Sequence, residues 1–254
     1  MGAPVALVTG ASRGIGKRLC ADLAGAGYDV VCTARSSAAR PGALPGTIEE
    51  TAALVRAAGR RALPVALDVR DEGGVAALAE RVFAEWGRCD LVVNNAALAP
   101  PKPALEDTTK RWRLGVDVNV NGPFYFIYHF APRMTPGDGR IVNISSAASQ
   151  APEFGRASYT TTKAALEAMT RSLAHDLRGR VALNCIRLEV PVWTEGYAAT
   201  LPPDVELPFE DAVIMSDAVL WLARQPLELT GQVLTIAALR ARGAVRPFTP
   251  AKRS

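Results

Sequence analysis

The sequence has few of the residues that build metal sites and disulfide frameworks. Its 254 residues include four cysteines and two histidines. The cysteines form no CxxC pair and show no metal-ligand spacing; they are Cys20, Cys32, Cys89 and Cys185. We interpret all four as small buried apolar side chains, and the isolated His129 and His175 as structural. The sequence therefore predicts no metal site.

The sequence also lacks a hydrophobic run long enough to cross a membrane, since no apolar stretch approaches the roughly eighteen residues required. It is 49% hydrophobic and 21% charged, the composition of a globular protein with an ample core. Residues 1–4 lead directly into an apolar segment, without a charged leader or a cleavage site. We therefore expect a cytoplasmic protein with no membrane partner.

No large excess of charge of one sign is present, since the formal net charge is +4. A basic tail over 240–254 accounts for it, because this segment has no acidic residue. Its positively charged residues are Arg240, Arg242, Arg246, Lys252 and Arg253. Such a tail is typical of a segment that is solvated or docked on a neighbouring subunit, so we expect no nucleic-acid partner.

A glycine-rich turn lies between a predicted strand and a predicted helix. Residues 4–9 form a short apolar run, residues 10–16 read GASRGIG, and a helical pattern precedes a second apolar run at 29–34. In this arrangement the N–H groups at a helix start hold a pyrophosphate. Tight turns alone also favour glycine, so the GxxxGxG spacing indicates a nucleotide site mainly through its context. The predicted cofactor contacts are Gly10, Ser12, Arg13, Gly14, Ile15 and Gly16.

Arg35 closes the second predicted strand, where many dinucleotide-binding folds carry an acidic residue for the adenosine ribose. A carboxylate there rejects a 2′-phosphate, whereas an arginine pairs with it, and Arg13 could approach the same group from the glycine turn. These two arginines predict NADP in preference to NAD. The alternative is that Arg35 is only a solvated residue at a strand end.

Strands and helices alternate along the rest of the chain. Further strands are predicted at 62–67, 91–93, 140–145, 181–187 and 232–237, and helices at 47–58, 72–86, 105–134, 158–178 and 211–223. This alternation predicts an α/β fold: a Rossmann-type, doubly wound parallel sheet of seven strands with helices on both faces. We predict a single domain over 1–254, with a surface loop at 36–46 and a substrate lid at 188–207.

Ligands of such sheets bind at the carboxyl ends of the strands. The residues predicted to share that edge are Gly10, Arg35, Asp68, Asn94 and Ser146. Asp68 and Val69 end the third strand, where an adenine could lie. The coincidence of these positions is the main argument for a ligand site.

Tyr159 and Lys163 lie four residues apart at the start of a helical pattern, so they share one face about a turn apart. A phenol is a poor acid or base at neutral pH, because its unperturbed pKa is about 10, and a nearby ammonium favours the phenolate. Ser146 could polarise the same substrate oxygen. Such pairs are also common on solvated helix faces, and the strand-end residues favour the catalytic interpretation.

In the order and spacing of its motifs, the chain resembles the short-chain dehydrogenase/reductase family from about residue 5 to residue 238. The matching positions are Thr9-Gly10 through Gly16, Asp68, Asn94-Asn95-Ala96, Asn119, Ser146, Tyr159-x-x-x-Lys163, Asn184 and Thr230-Gly231. Residues 45–48, 63–64 and 68–71 also resemble a subgroup related to hydroxysteroid dehydrogenase-like protein 2.

The resemblance implies a catalytic set of Asn119, Ser146, Tyr159 and Lys163. Tyr159 would exchange a proton with the substrate oxygen, Lys163 would assist it and hold the nicotinamide ribose, and Ser146 would hydrogen-bond the substrate. Asn119 would hold a water that links Lys163 to solvent. The implied cofactor is NADP(H), which would exchange a hydride with the substrate carbon. Cofactor contacts outside the glycine turn would be Arg35, Asp68, Val69, Asn95, Ala96, Tyr159, Lys163 and Thr194.

One departure from the family follows the sixth strand, where Leu188-Glu189 stands in place of the usual Pro-Gly. The change alters the backbone conformations open to a segment that borders the nicotinamide in the family. Thr194, which matches a threonine that contacts the carboxamide, is retained. Glu189 could bring a carboxylate near the substrate.

Three functions are open from the sequence. The first is interconversion of an alcohol and a ketone or aldehyde on a mainly apolar small substrate. Its pocket residues would be Ala97, Leu98, Ser149, Phe154, Val190, Trp193 and Tyr197. The second is reduction of a 3-oxoacyl thioester on a carrier protein or coenzyme A, and the third is a dinucleotide-binding regulator without turnover. The family commonly assembles through helices matched by 105–134 and 158–178, which implies a homodimer or homotetramer.

Overall fold

The computed structural model describes residues 2–99, 101–151, 154–199, 201 and 207–251. Its strands are β1 Val5–Thr9, β2 Asp29–Ala34, β3 Ala62–Ala66, β4 Leu91–Asn94, β5 Gly139–Ser146, β6 Val181–Leu188 and β7 Val233–Thr235. All of these seven pair in parallel in one sheet, in the order β3-β2-β1-β4-β5-β6-β7. The chain runs outward in one direction from β1 to β3 and in the other from β4 to β7. The predicted doubly wound parallel sheet is confirmed.

Helices cover both faces of the sheet. They are α1 Gly14–Gly25, α2 Ile48–Ala57, α3 Glu72–Trp86, α4 Thr109–Val116, α5 Gly122–Phe130, α6 Ala157–Asp176, α7 Glu195–Ala198, α8 Val213–Ala223 and α9 Ile236–Ala241. In the described ranges, no helix combines the length and the hydropathy that crossing a bilayer requires.

Burial on both faces explains why the inner strands are continuous apolar runs. Every residue of β1, β2 and β4 is buried. One face packs against Leu23 of α1 and Val219 of α8, and the other against Leu78 of α3 and Phe126 of α5. Burying one such side chain fully contributes about 1.5–3 kcal/mol. The four cysteines are free and buried, as predicted.

The region predicted as one long helix over 105–134 is interrupted. Helix α4 begins at Thr109, after an irregular segment, and a π-helical turn at Asp117–Asn121 joins it to α5. A 3₁₀ turn at Ala131–Arg133 follows α5. A π turn inserts an extra residue into the helical ladder, and periodicity alone does not predict it.

The C-terminal strand is shorter than predicted. The expected strand at 232–237 ends at Thr235, and α9 begins directly after it. The Thr235 hydroxyl accepts a hydrogen bond from the Ala238 amide at 3.0 Å, so it caps the new helix. The helix formers Ala and Leu then favour α9 over a longer strand.

The basic tail, predicted to be solvated or docked on another subunit, instead packs on its own chain as far as it is described. Arg240 forms an ion pair with Glu210, which is 2% exposed. Arg246 pairs with Asp217 at 2.6 Å, and the Arg242 guanidinium lies 5.9 Å from the Trp221 ring centre. Lys252 and Arg253 lie outside the described residues. The tail packs on its own chain because its arginines find acidic partners, Glu210 and Asp217, that lie well before it in the sequence.

Candidate functional site

The carboxyl ends of β1 and β4 form the centre of the site, because the strand order reverses between them. Thr9 ties the two ends together. Its hydroxyl accepts hydrogen bonds from the amides of Asn95 and Ala96, both at 3.0 Å, and its carbonyl accepts one from Asn95 Nδ2 at 2.8 Å. Asn95 therefore fixes the cleft floor.

Asn94 lies deeper, below the cleft. It is 3% exposed, and its amide donates to Asn143 Oδ1 at 2.8 Å. Asn143 in turn donates to the Thr170 hydroxyl of α6 at 2.9 Å. This buried polar chain joins β4, β5 and α6 directly below the site.

The glycine turn requires glycine at specific positions. Gly10 and Gly14 have φ of +67° and +53°, a region that side chains disfavour. A Cβ at Gly16 would lie 2.2 Å from the Gly10 carbonyl oxygen, so only glycine lets α1 approach β1 this closely. Ser12 is buried in the same turn. The start of α1 consequently presents main-chain N–H groups at the edge of the sheet.

Glu195, which was not predicted from the sequence, contacts this helix start. One of its carboxylate oxygens accepts the Gly14 N–H at 3.0 Å. Thr194 lies beside it: its methyl carbon would be 3.0 Å from a Cβ at Gly14, and its hydroxyl caps α7 by accepting the Tyr197 amide at 3.0 Å. An acidic residue after a threonine N-cap is only a local helix signal, so its contact with Gly14 was not visible in the sequence.

Arg13 connects the glycine turn to loop 36–46. Its guanidinium donates to the Ser36 hydroxyl at 3.1 Å and to the carbonyls of Leu44 and Pro45, both at 2.8 Å. The sequence predicted that Arg13 approaches the end of β2, and the structure brings it to Ser36, next to Arg35. The loop carbonyls that it holds were not predicted. Arg35 itself is exposed at the end of β2.

Asp68 and Val69 follow β3 at the same edge. Asp68 pairs with Arg70 at 2.6 Å, and the hydrogen bonds from Arg70 hold the pKa of that carboxyl below its ordinary value. The charge of Arg35 acts in the same direction. Val69 is buried against Gly122, where a Cβ would lie 3.0 Å from its methyl carbon. Asp68 and Val69 therefore lie at the carboxyl edge of the sheet beside its outermost strand, β3.

Tyr159 and Lys163 lie on one side of α6, as their spacing predicted. Lys163 is 3% exposed, and its ammonium donates to the Ile144 carbonyl at 2.6 Å. The same nitrogen lies 5.6 Å from the centre of the Tyr159 ring, and the Arg156 guanidinium carbon lies 5.9 Å from it. Two cations therefore lie beside the half-buried Tyr159 ring.

Ser146 ends β5 and begins the 3₁₀ turn Ala147–Ser149. Its hydroxyl accepts the Ala148 amide at 3.3 Å, and the residue is half-buried. It therefore lies at the carboxyl edge, with β4 on one side of β5 and β6 on the other.

Asn119 lies in the π turn, a position that functional sites often use. Its Oδ1 accepts the Leu98 amide at 2.8 Å, and its Nδ2 donates to the Leu98 carbonyl at 2.9 Å and to the Thr162 hydroxyl at 3.0 Å. The side chain thus joins the segment after β4 to α6, next to Lys163.

An ion pair that was not predicted from the sequence lies behind the site, and its carboxylate is buried. Arg187 of β6 donates to Glu167 of α6 through Nε at 2.9 Å and Nη2 at 2.6 Å. Ser145 and Ser149, the latter predicted as a pocket residue, also donate to Glu167. Burial alone would raise the pKa of Glu167, but these donors hold it below its ordinary value. The sequence signal for this ion pair was a glutamate among the apolar residues of the buried face of α6.

The Glu189 carboxylate, which the sequence suggested could lie near the substrate, binds the start of α9. Its two oxygens accept the amides of Ile236 at 2.9 Å and Ala237 at 2.7 Å, which are the first residues of α9. Negative charge at a helix N-terminus is stabilising. Glu189, which stands where the family usually has the glycine of Pro-Gly, therefore links the segment that follows β6 to the start of α9.

Within the part of the chain that the structure describes, two cavities border Tyr159. The larger, of about 180 Å³, includes Lys102, Trp112 and Arg156 in its lining, and the smaller includes Leu98. Among the other predicted pocket residues, Phe154 is 91% exposed, and the Tyr197 ring packs 5.7 Å from Phe209. The lining of the larger cavity combines the charged Lys102 and Arg156 with the aromatic Trp112, and the apolar substrate pocket stays a prediction. Residues 200 and 202–206 of the predicted lid lie outside the described residues.

Comparison with known proteins gives a consistent result. Residues 4–195 match the sequence profile described as short chain dehydrogenase. Hydroxysteroid dehydrogenase-like protein 2 of Bos taurus is 30% identical over 230 residues, which make up 89% of this chain and 55% of that protein. The chain spans about half the length of the curated relatives it matches. The predicted resemblance to that subgroup is confirmed.

Solved structures share the fold over most of the chain. A metagenomic short-chain oxidoreductase in complex with NADP has a TM-score of 0.75 and 31% identity, covering 91% of this chain and 96% of that one. Carveol dehydrogenase from Mycobacterium avium, in complex with NAD, has a TM-score of 0.82 over 92% of this chain and 96% of that one. Its identity of 24% supports the fold alone.

Proposed function

Because this chain belongs to the short-chain dehydrogenase family, we propose that it is an NADP(H)-dependent oxidoreductase that interconverts an alcohol and a ketone or aldehyde. The observation that carries the proposal is the position of Lys163 and Tyr159 on α6. They lie at the same sheet edge as Ser146 and the glycine turn. The family suggests the reaction class, and these contacts support the residues that perform it.

The residues present fit a dinucleotide. At Gly16 a Cβ would collide with the backbone of the turn, and the Gly14 N–H already donates to the Glu195 carboxylate. In this proposal the turn from Gly10 to Gly16 holds the pyrophosphate, and NADP(H), when bound, supplies or accepts the hydride. The other residues that would hold it are Ser12, Arg13, Ile15, Arg35, Asp68, Val69, Asn95, Ala96 and Thr194.

Proton transfer falls to Tyr159 in this proposal. Its phenol gives a proton to the carbonyl oxygen during reduction and takes one from the alcohol during oxidation. Lys163 stabilises the phenolate and holds the nicotinamide ribose, while the Ser146 hydroxyl donates to the substrate oxygen. Asn119 keeps the segment after β4 against α6 and would hold a water that returns protons to Lys163.

A preference for NADP over NAD is supported by Arg35. Its exposed side chain follows β2, and no carboxylate occupies that position. The Ser36 hydroxyl, held by Arg13 at 3.1 Å, lies next to it in the chain. A 2′-phosphate would meet the exposed Arg35 cation here, whereas a 2′-hydroxyl would leave this cation without a charged partner.

The substrate proposal is a mainly apolar small alcohol or carbonyl compound. A second candidate, reduction of a 3-oxoacyl thioester, is favoured by one observation. Lys102 and Arg156 both line the cavity beside Tyr159, and such cations suit the phosphates of coenzyme A or of a carrier arm. Comparing acetoacetyl-coenzyme A with matched free ketones distinguishes the two.

A homodimer or homotetramer is part of the proposal. Trp112 of α4 and Phe124 and Tyr128 of α5 are 42%, 39% and 59% exposed. Phe124 and Tyr128 have ring centres 5.9 Å apart, so they form a continuous aromatic surface. Large exposed aromatic surfaces commonly mark protein contacts.

The experiment follows NADPH absorbance across a panel of hydrophobic ketones, aldehydes and thioesters. We expect Tyr159→Phe to lower kcat by about 10²–10⁴-fold while NADPH affinity is kept, since only the proton donor is lost. Tyr28→Phe is the matched control and should keep activity. Tyr28 lies in the connection between α1 and β2, remote from the carboxyl ends of the strands. NADPH binding without turnover, together with no effect of Tyr159→Phe, would support a regulator instead.

A further inference from the structure

We propose that Glu167 is a positioning residue for Ser146, because its buried carboxylate holds both ends of the segment that carries this hydroxyl. The inference rests on the proposed function, in which Ser146 donates to the substrate oxygen. Glu167 touches neither substrate nor cofactor in this proposal. It acts through Ser145 and Ser149, the residues that begin and end the segment 145–149.

The two serines share one acceptor atom. Ser145 Oγ donates to Glu167 Oε1 at 2.8 Å, and Ser149 Oγ donates to the same oxygen at 2.6 Å. Ser145 is 2% exposed, Ser149 is 9% exposed and Glu167 is fully buried. The segment thus leaves the end of β5 and returns to the same oxygen within one 3₁₀ turn, with Ser146 between the two contacts.

Arg187 keeps this carboxylate charged. Its Nε and Nη2 donate to the two carboxylate oxygens, and Ser145 and Arg187 are paired residues of β5 and β6. Bonds to an ionised acceptor are shorter and stronger than neutral ones. A neutral side chain at this position would hold the two serines more weakly.

The same helix face positions the other catalytic groups. Lys163 lies one turn before Glu167 on α6, and its ammonium donates to the Ile144 carbonyl at 2.6 Å. Helix α6 therefore contacts the chain at 144, 145 and 149, on both sides of Ser146. Releasing two of these contacts frees Ser146 to move relative to Tyr159, and misplacement by about 1 Å can cost roughly 100-fold in rate.

The test uses Ser145→Ala/Ser149→Ala, which removes both contacts and leaves the Glu167–Arg187 ion pair in place. We expect kcat to fall roughly 10- to 100-fold, with the KM for NADPH unchanged. Glu167→Gln removes the charge and is expected to have the same effect. Asp29→Asn is the matched control, since Asp29 is another buried carboxylate, paired with Arg61 at 2.6 Å, and lies at the start of β2.

A double-mutant cycle separates positioning from general destabilisation. In the Ser146→Ala background, the two serine substitutions should have no further effect on kcat, because the hydroxyl that they position is absent. Asp29→Asn should lower the melting temperature and leave kcat unchanged in both backgrounds. An unchanged kcat in the double serine variant, or an equal loss with and without Ser146, would overturn the proposal.

Amide hydrogen exchange tests the contact independently of turnover. The Ala148 amide donates to Ser146 Oγ at 3.3 Å, so its exchange reports the local order of the segment. We expect faster exchange at 146–149 in the double serine variant, with α3 unaffected. If no substrate is found, this result still supports the positioning contact, and unchanged exchange overturns it.

Discussion

Removing the charge of Glu195 should tighten NADPH binding. Its carboxylate accepts the Gly14 N–H at 3.0 Å, at the helix start that would hold the pyrophosphate. The cofactor must therefore displace this carboxylate or accept it as a neighbour. Glu195→Gln keeps the size of the side chain and removes the negative charge.

The magnitude follows from two terms of similar size. A carboxylate at a helix N-terminus contributes about 0.3–1 kcal/mol, which the cofactor would no longer have to offset. A negative charge 4 Å from a phosphate charge repels it by about 1 kcal/mol in water. Together they predict NADPH affinity roughly 9- to 30-fold higher in the variant, since 1.4 kcal/mol is a factor of ten. The unliganded variant should lose up to about 1 kcal/mol of stability.

Fluorescence titration or calorimetry with NADPH measures this change at low and moderate salt. The gain should shrink as salt rises, because partly exposed charges are screened. Glu85→Gln is the matched control: it removes one negative charge at the end of α3 that is remote from the strand carboxyl ends. Equal or weaker NADPH binding by Glu195→Gln would refute the reasoning.

Three further predictions concern charge. Arg35→Glu should reverse the preference from NADPH to NADH, because a carboxylate repels the 2′-phosphate; unchanged NADPH/NADH ratios of kcat/KM would contradict the assigned role. Glu189→Ala should destabilise the fold by about 1 kcal/mol, measured by urea unfolding, because it removes the charged cap of α9, whereas Glu189→Gln should lose less. The pKa of Glu167 is lowered in the folded state, so its stabilisation is present above the ordinary glutamate range and is lost as pH falls below about 5. Glu167→Gln should therefore flatten the acid limb of a stability–pH curve, and an unchanged limb would contradict this.

Local signals were enough to predict the sheet and its ligand edge. Each inner strand is a short apolar run bounded by polar or glycine residues, and the sheet edge follows from parallel pairing. Tyr159 and Lys163 are neighbours on one helix, so their relation depends only on helical spacing. These features depend on residues close together in the chain.

The polar contacts behind and above the site depend on distant partners. Glu195 meets Gly14 across 181 positions, and Arg187 meets Glu167 across 20. No spacing rule links such residues, and each is also compatible with a solvated surface. The departure at Glu189 was visible, but its partner in α9 was not, because the predicted seventh strand extended over the start of that helix.

The ion pair between Glu210 and Arg240 makes the last segment of the described chain part of the folding unit. Glu210 is 2% exposed, and its backbone forms an isolated antiparallel bridge with Pro250 near the end of the described chain. A shortened protein that ends before residue 240 would bury a carboxylate without its guanidinium, at a cost of about 3–5 kcal/mol, comparable to much of the stability of a small domain. Expression of this protein should therefore fail on truncation at residue 239, even though every strand of the sheet would still be encoded.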